Sequence, residues 1–202
     1  MTHVAKEGNR RKGGMTGAEI TQSVLDVESW FRKNGGCLDN AEGVHDTDLQ
    51  ALEKAIGASI PEELRKIMSI QDGQLWFSEK KALTCKGMVT EALEMEGRRV
   101  PGWRAGLIPF AKDVDDNFLA SHGDAAVTDT QAKGCPVADW DTTGVGAMMA
   151  KSFSLFLENF RNELLSGRCE YVEGLGVVEK VAKSNASPPR ISSNNKNSSS
   201  RK

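Results

Sequence analysis

Gly106-Leu107-Ile108-Pro109-Phe110-Ala111, then Asp113-Val114-Asp115-Asp116-Asn117, then Phe118-Leu119-Ala120, is a pair of apolar runs of strand length joined by a polar turn. Short apolar runs bounded by turn residues read as β-strands, because a strand of this length buries its side chains and leaves the polar residues to close the chain back on itself. Residues 113–117 read as a polar turn between two strands, its acids solvated. Downstream, Val137-Ala138-Asp139-Trp140 is a third run of the same kind. Three such runs predict a mixed or antiparallel sheet.

Helices flank this sheet on both sides in sequence. Ser152 is a fitting N-cap for a helix in which Phe153, Phe156, Leu157, Phe160 and Leu164 recur on one face before Gly167, so that helix is expected to pack across the sheet. Upstream, Ile20, Val24, Val27 and Phe31 recur at helical spacing until Asn34-Gly35-Gly36. Thr47 and Gln50 predict a capping box for a short helix carrying Leu49, Leu52 and Ile56, which Gly57 ends. Pro61 suits a first helical turn, where its missing N–H is no loss. Glu62 and Glu63 suit the positive end of the helix dipole, and Leu64, Ile67 and Met68 face the core. Leu75 to Phe77 reads as a strand, and Met88, Val89, Ala92, Leu93 and Met95 as a helix stopped by Gly97. Tyr171 to Val181 is β-rich but broken by Gly174 and Gly176, which fits an added edge strand or a docked extension. The pattern is α+β.

Four of these segments, in order, resemble the SUKH superfamily, the Smi/Knr-type domain found in fungal cell-wall assembly regulators and bacterial immunity proteins. They are Ile60-Pro61-Glu62-Glu63-Leu64-Arg65 running to Asp72-Gly73, the Ile108-Pro109-Phe110 strand with its acidic turn and Phe118-Leu119, Gly134-Cys135-Pro136-Val137-Ala138-Asp139-Trp140-Asp141, and Ser152-Phe153-Ser154-Leu155-Phe156-Leu157. Leu75-Trp76-Phe77 stands for the family's aromatic strand. The resemblance runs from about Leu49 to Leu164. Asp72-Gly73 replaces the usual Asn-Gly, and the acidic turn lacks the family's common Gly. The resemblance implies a single SUKH-like α+β domain, a sheet packed against several helices, and a binding role without a reaction. In bacteria such proteins resemble antidotes to toxin nucleases; in eukaryotes they look like regulators or subunits of larger assemblies, including a tubulin polyglutamylase subunit.

Composition sets independent bounds. A chain of 202 residues with 39% apolar content can bury one sizeable core. The expected organisation is a basic, disordered segment over 1–17, the domain over 19–181, and a disordered, basic, Ser/Asn-rich tail over 183–202. Net charge is −2 overall; the first 17 residues contribute +3 and the last 20 contribute +5, which leaves −10 for the body between them. An acidic body repels phosphate backbones, so the fold itself is not expected to recognise a specific nucleic acid. The basic ends favour the eukaryotic regulatory version of the family, since bacterial immunity proteins are usually compact. Cys37, Cys85, Cys135 and Cys169 are scattered without a Cys-x-x-Cys pair, which reads as reduced thiols in a cytoplasmic protein. No apolar stretch is long enough to span a bilayer, and Met1 to Gly14 lacks the apolar centre of a signal peptide, so no membrane association is expected.

The residues offer little chemistry. Gly144-Val145-Gly146 lacks the third Gly and the Rossmann context of a phosphate loop. His45 and His122 are near no nucleophile motif and read as solvated loop histidines. Asp113 to Asn117 mimics the start of a calcium loop with Asp124 at the twelfth position, but Phe118 stands where the sharp turn needs Gly. No metal, cofactor or catalytic residue is expected. An enzyme using an unrecognised Asp or His site is the less favoured alternative.

The acidic stretch is the best functional hint. Asp113 to Asp141 contains seven Asp and only Lys133 to offset them. Acids beside an aromatic ring make a common interface recipe, in which the ring supplies area and the acids select a basic partner. The expected partner-binding groove comprises Trp140 with Asp139 and Asp141, together with Trp76, Asp115 and Asp116. Core positions for Trp76, Trp103 and Trp140 are the alternative. Strand alternation puts Val137, Asp139 and Asp141 on one face and Ala138 and Trp140 on the other, so Trp140 joins its flanking acids only if the strand ends or bulges there. The reading is a regulatory or scaffold module that binds a basic protein, the alternative being an immunity protein that neutralises a toxin.

Overall fold

The computed structural model describes residues 15–36, 38, 42–123 and 135–180. The expectations for 1–14 and for the tail from 181 onward, and those for Cys37, Asp124 and Gly134, fall outside them. Five helices and eight strands follow in the order α1 (Gly17–Lys33), α2 (Asp46–Ile56), α3 (Glu62–Ile70), β1 (Trp76–Phe77), β2 (Lys80–Ala82), α4 (Cys85–Gly97), β3 (Leu107–Lys112), β4 (Phe118–His122), β5 (Val137–Asp141), β6 (Gly144–Ala150), α5 (Phe153–Leu165), β7 (Cys169–Val172) and β8 (Gly176–Glu179). Strands β1 to β6 form an antiparallel meander in sequence order, and β7 pairs with β8 as a separate hairpin. The chain is a single α+β domain.

Helix starts are set by local capping. Thr16 and Glu19 form a reciprocal capping box at α1: the Thr16 N–H donates to the Glu19 carboxylate at 2.8 Å, and the Glu19 N–H donates to Thr16 Oγ1 at 3.3 Å. At α2 the N-cap is His45, without a side-chain bond, so Thr47 lies inside the first turn and the capping box expected there is not formed. Asp46 and Asp48 support that end through the helix dipole instead. Gly57 closes α2 in the left-handed conformation, at φ 75°. Ser152 caps α5 as expected, accepting from the Leu155 N–H at 3.2 Å.

The sheet is covered on both faces. On one, α5 lays Phe153, Phe156 and Phe160 over Phe77 of β1 and Phe110 of β3, with ring centroids 5.0–5.6 Å apart for Phe110–Phe153, Phe77–Phe160, Phe77–Phe110, Phe77–Phe156 and Phe110–Phe156. This aromatic cluster is the centre of the larger core, which α1, α2 and α3 complete. A second, smaller core on the opposite face holds Leu107, Phe118, Ala120, Ala138 and Trp140 beneath Met95, Val100 and Trp103. Strand β3 serves both: Leu107 points into the small core, whereas Ile108 and Phe110 point into the large one. A register shift between Pro109 and Ala111 lets Phe110 and Ala111 both enter the large core.

Two strands escape a reading by periodicity. Strand β2 is Lys-Lys-Ala, too short and polar to signal, and β6 follows from Gly144-Val145-Gly146, a segment whose residues 145–149 are all exposed. In α4, Met88, Ala92 and Met95 are buried, but Leu93 is 55% exposed. The Phe110→Ala variant is expected to lose about 3–5 kcal/mol of unfolding free energy in urea melts, because it opens a cavity where four rings meet. Leu93→Ala should change it by less than about 0.5 kcal/mol.

Candidate functional site

In an antiparallel meander every second connection lies at the same end of the sheet. The tight turns β1–β2 (residues 78–79), β3–β4 (113–117) and β5–β6 (142–143) therefore share one end, and with them Glu79, Asp113, Asp115, Asp116, Asp139 and Asp141. The register confirms the alignment, with Lys81 opposite Lys112, Lys112 opposite Phe118, and Phe118 opposite Trp140.

Beneath this acidic end lies Lys80, whose side chain is only 7% exposed. Its ammonium sits 2.9 Å from Glu79, 3.3 Å from Asp113 and 3.6 Å from Asp139, one carboxylate from each hairpin. Burial would push the Lys80 pKa down, but these neighbours outweigh it and hold the ammonium above its ordinary value. Burial would likewise raise Asp113. The N–H groups of Asn117 and Asp115, the Asn117 amide and Lys80 overcome that and hold its carboxyl below the usual range.

Each turn is pinned by its own acid. Asp113 Oδ1 accepts from the N–H groups of Asp115 and Asn117, each at 2.9 Å, and Asp113 N–H donates back to Asn117 O at 3.0 Å. Asp116 adopts φ 63°, a conformation Asp tolerates, and pairs with Lys112 at 2.8 Å. Lys112 also reaches Glu91 of α4 at 2.9 Å and lies over the Phe118 ring at 5.1 Å. Asp141 Oδ1 accepts from the Thr143 N–H and hydroxyl, both at 2.6 Å, and from the Gly144 N–H at 3.1 Å. The Thr143 bonds chiefly hold Asp141 below its usual pKa, as Lys112 does for Asp116.

Of the six residues expected to line a groove, Asp115, Asp116, Asp139 and Asp141 come together here. Trp76 stands at the first hairpin, half-buried, its ring so close over β8 that a Cβ on Gly176 would fall 2.6 Å from it. Trp140 does not join them. It is 6% exposed in the small core and meets Trp103 edge to face at 5.2 Å. The register irregularities near β5 place their extra residues in β6, so β5 keeps strict alternation and its Trp and acids face opposite ways. Glu79 and Lys80 were missed from sequence because they sit in a polar turn with no apolar pattern around it. The calcium-loop resemblance resolves as an Asp-capped hairpin, in which Phe118 is buried and the cation beside Asp113 is an ammonium. Among the described residues no group of three or more His, Cys, Asp or Glu is arranged to hold a metal ion.

Cys135 and Cys169 are buried and outside any disulfide, and burial with Asp72 and Asp48 nearby pushes Cys85 up to about 11. His122 differs from expectation. It ends β4 half-buried, its Nδ1 has no hydrogen-bond partner, and burial with Arg104 nearby holds its pKa low. No helix among the described residues is long and apolar enough to cross a membrane.

A family match spans the three hairpins and every ring of the aromatic cluster but Phe160: the model of the SMI1 / KNR4 family (SUKH-1) covers residues 43–159. The chain belongs to the SMI1 / KNR4 family. No match was found among curated proteins. The SMI1 / KNR4 match takes in α2 to the first half of α5, and α1 and the β7–β8 hairpin lie outside the matched residues. Both are packed on it, α1 against α3 and α5, and β8 against β1.

Two tests follow from the buried ammonium. Lys80→Met is expected to destabilise the fold by about 3 kcal/mol, since it leaves Asp113 and Asp139 without their shared cation. Asp113 has a depressed folded pKa, so its contribution is complete above the unfolded value of 3.8 and is lost as pH falls through the lower folded value. The stability gap between the parent protein and Asp113→Asn should therefore be widest near neutral pH and shrink below about pH 4 in urea melts.

Proposed function

We propose that this protein is a non-catalytic binding module whose acidic sheet end captures the basic surface of a partner protein. The observation that carries this is the convergence of six carboxylates from three hairpins on one end of the sheet, against the two ammoniums, Lys80 and Lys112, that pair with them. The excess negative charge attracts a cationic partner over a Debye length and orients it before contact. Asp113 and Asp141 fix their turns through backbone hydrogen bonds, so little backbone entropy is lost when a Lys or Arg arrives. Membership of the SMI1 / KNR4 family supports a binding role over a reaction.

The six carboxylates divide by role. Glu79, Asp113 and Asp139 neutralise Lys80, and Asp141 closes the β5–β6 turn, so these serve the fold as well as the surface. Asp115 is exposed and Asp116 pairs with the rim cation Lys112, with Arg98 also nearby, which makes them the contacts to change. A regulatory or scaffold subunit and a toxin-neutralising antidote would both use such an end. They differ in what is captured.

Affinity capture from native cytosol with mass spectrometry, comparing the parent with Asp115→Lys/Asp116→Asn, tests the reading. A basic partner captured by the parent should be lost in the variant, with the melting temperature unchanged, and a nuclease toxin as that partner would assign the antidote role. Equal capture by both would contradict binding at this end. Asp139→Lys is expected to behave differently, losing stability along with capture because it sets a second cation against Lys80.

A further inference from the structure

Gln71, the C-cap residue of α3, is a polar side chain sunk among residues of the large core. It is 2% exposed, and among the described residues neither its Oε1 nor its Nε2 has a hydrogen-bond partner. Leu64, Ile67, Leu75, Phe77, Met88 and Phe110 stand around it, all of them buried. Taking a carboxamide from water into apolar surroundings without new bonds costs more than an ordinary hydrogen bond contributes, so native folds pair such groups. The carbonyls of its neighbours are already engaged. Ile67 O accepts from the Gln71 N–H at 3.0 Å, Met68 O from the Val44 N–H at 2.8 Å, Leu75 O from the Ala82 N–H at 2.7 Å and Phe110 O from the Leu83 N–H at 2.8 Å.

We infer that this is the binding site of one buried water molecule, held by the Gln71 amide between α3, β1 and α4. The side chains around Gln71 line a space of about 10 Å³, which is the room a single water takes and too little for a larger ligand. No charged side chain lines it, so an ion would find no counter-charge in the apolar wall, and the ligand is neutral as well as small. A water can accept from Nε2 and donate to Oε1. Gly73 and Gln74 line the same space and make no main-chain hydrogen bond to another backbone group among the described residues, so their N–H and C=O groups are the further partners that a buried water uses. Both are half-buried, which puts the way in and out on their side. The site also bears on the acidic end, because residues 71–75 carry the chain from α3 into β1 and so into the 78–79 turn. Asp72 secures one side of this connection, its Oδ1 accepting from the Cys85 N–H at 2.7 Å, and Gly73 at φ 77° lies so near Thr84 that a Cβ would fall 2.7 Å from it. The water on Gln71 secures the other side.

Water-selective NOE and ROE spectra of the isotope-labelled full chain test this. Cross peaks are expected from water to the Gln71 side-chain amide and to the methyl groups of Leu75 and Met88, with opposite signs in the two spectra, because a buried water tumbles with the protein. Gln71→Met keeps nearly the same length and shape without a donor or a strong acceptor, so it should abolish the methyl cross peaks while the circular dichroism stays that of the parent. A parent spectrum without the methyl cross peaks overturns the inference, and needs no variant to do so. Their survival in a folded Gln71→Met also overturns it, by placing the water on other groups. Neither outcome depends on whether the acidic end binds a partner.

Discussion

The ammonium of Lys80 can be buried only because one carboxylate from each of three hairpins converges on it. Removing a charge from water costs several kcal/mol, and the mutual attraction repays that only when the geometry is close. The distances to Glu79, Asp113 and Asp139 meet that condition only if the three turns lie at the same end of the sheet and in this register. A one-residue slip of β5 would turn Asp139 to the opposite face and bring Ala138 and Trp140 under α5. The ion cluster and the five-phenylalanine cluster thus specify the same arrangement, one from the polar end of the sheet and the other from its centre. Between them they set the acidic surface, because the residues that neutralise Lys80 are also the ones that frame it.

The same strand shows why an aromatic ring beside acids need not be an interface. Both faces of this sheet are covered, so in β5 the side chains of alternating residues go to different places: Val137 to the large core, Ala138 and Trp140 to the small one, and Asp139 and Asp141 to the polar end. Trp140 contributes to stability through its contact with Trp103. The turns owe their order to Asp113 and Asp141 bonding the backbone.

Much of the fold was legible where side-chain periodicity and burial coincide. The stripe Phe153, Phe156, Leu157, Phe160 and Leu164 gave α5 with its cap at Ser152, and Leu107 to Phe110 with Phe118 to Ala120 gave the central hairpin. What stayed hidden has a shared physical cause, namely burial without an apolar pattern or strand structure without burial. Lys80 is buried although charged, and two of its three partners lie 33 and 59 residues away in sequence, out of reach of any local pattern. β6 is a strand although exposed on both faces, because backbone pairing to β5 holds it rather than packing. The capping box was misplaced at Thr47 because the Thr-x-x-Gln pattern occurs inside a helix that His45 and Asp46 had already begun.

Amide chemical-shift mapping of the isotope-labelled protein, titrated with its captured partner, is the most direct test of the acidic end as the binding surface. The largest shifts are expected on the three turns, at residues 78–79, 113–117 and 141–143, weakening as salt is raised. Shifts confined to the helical side, at α1 and α5, with the three turns unmoved, would contradict it.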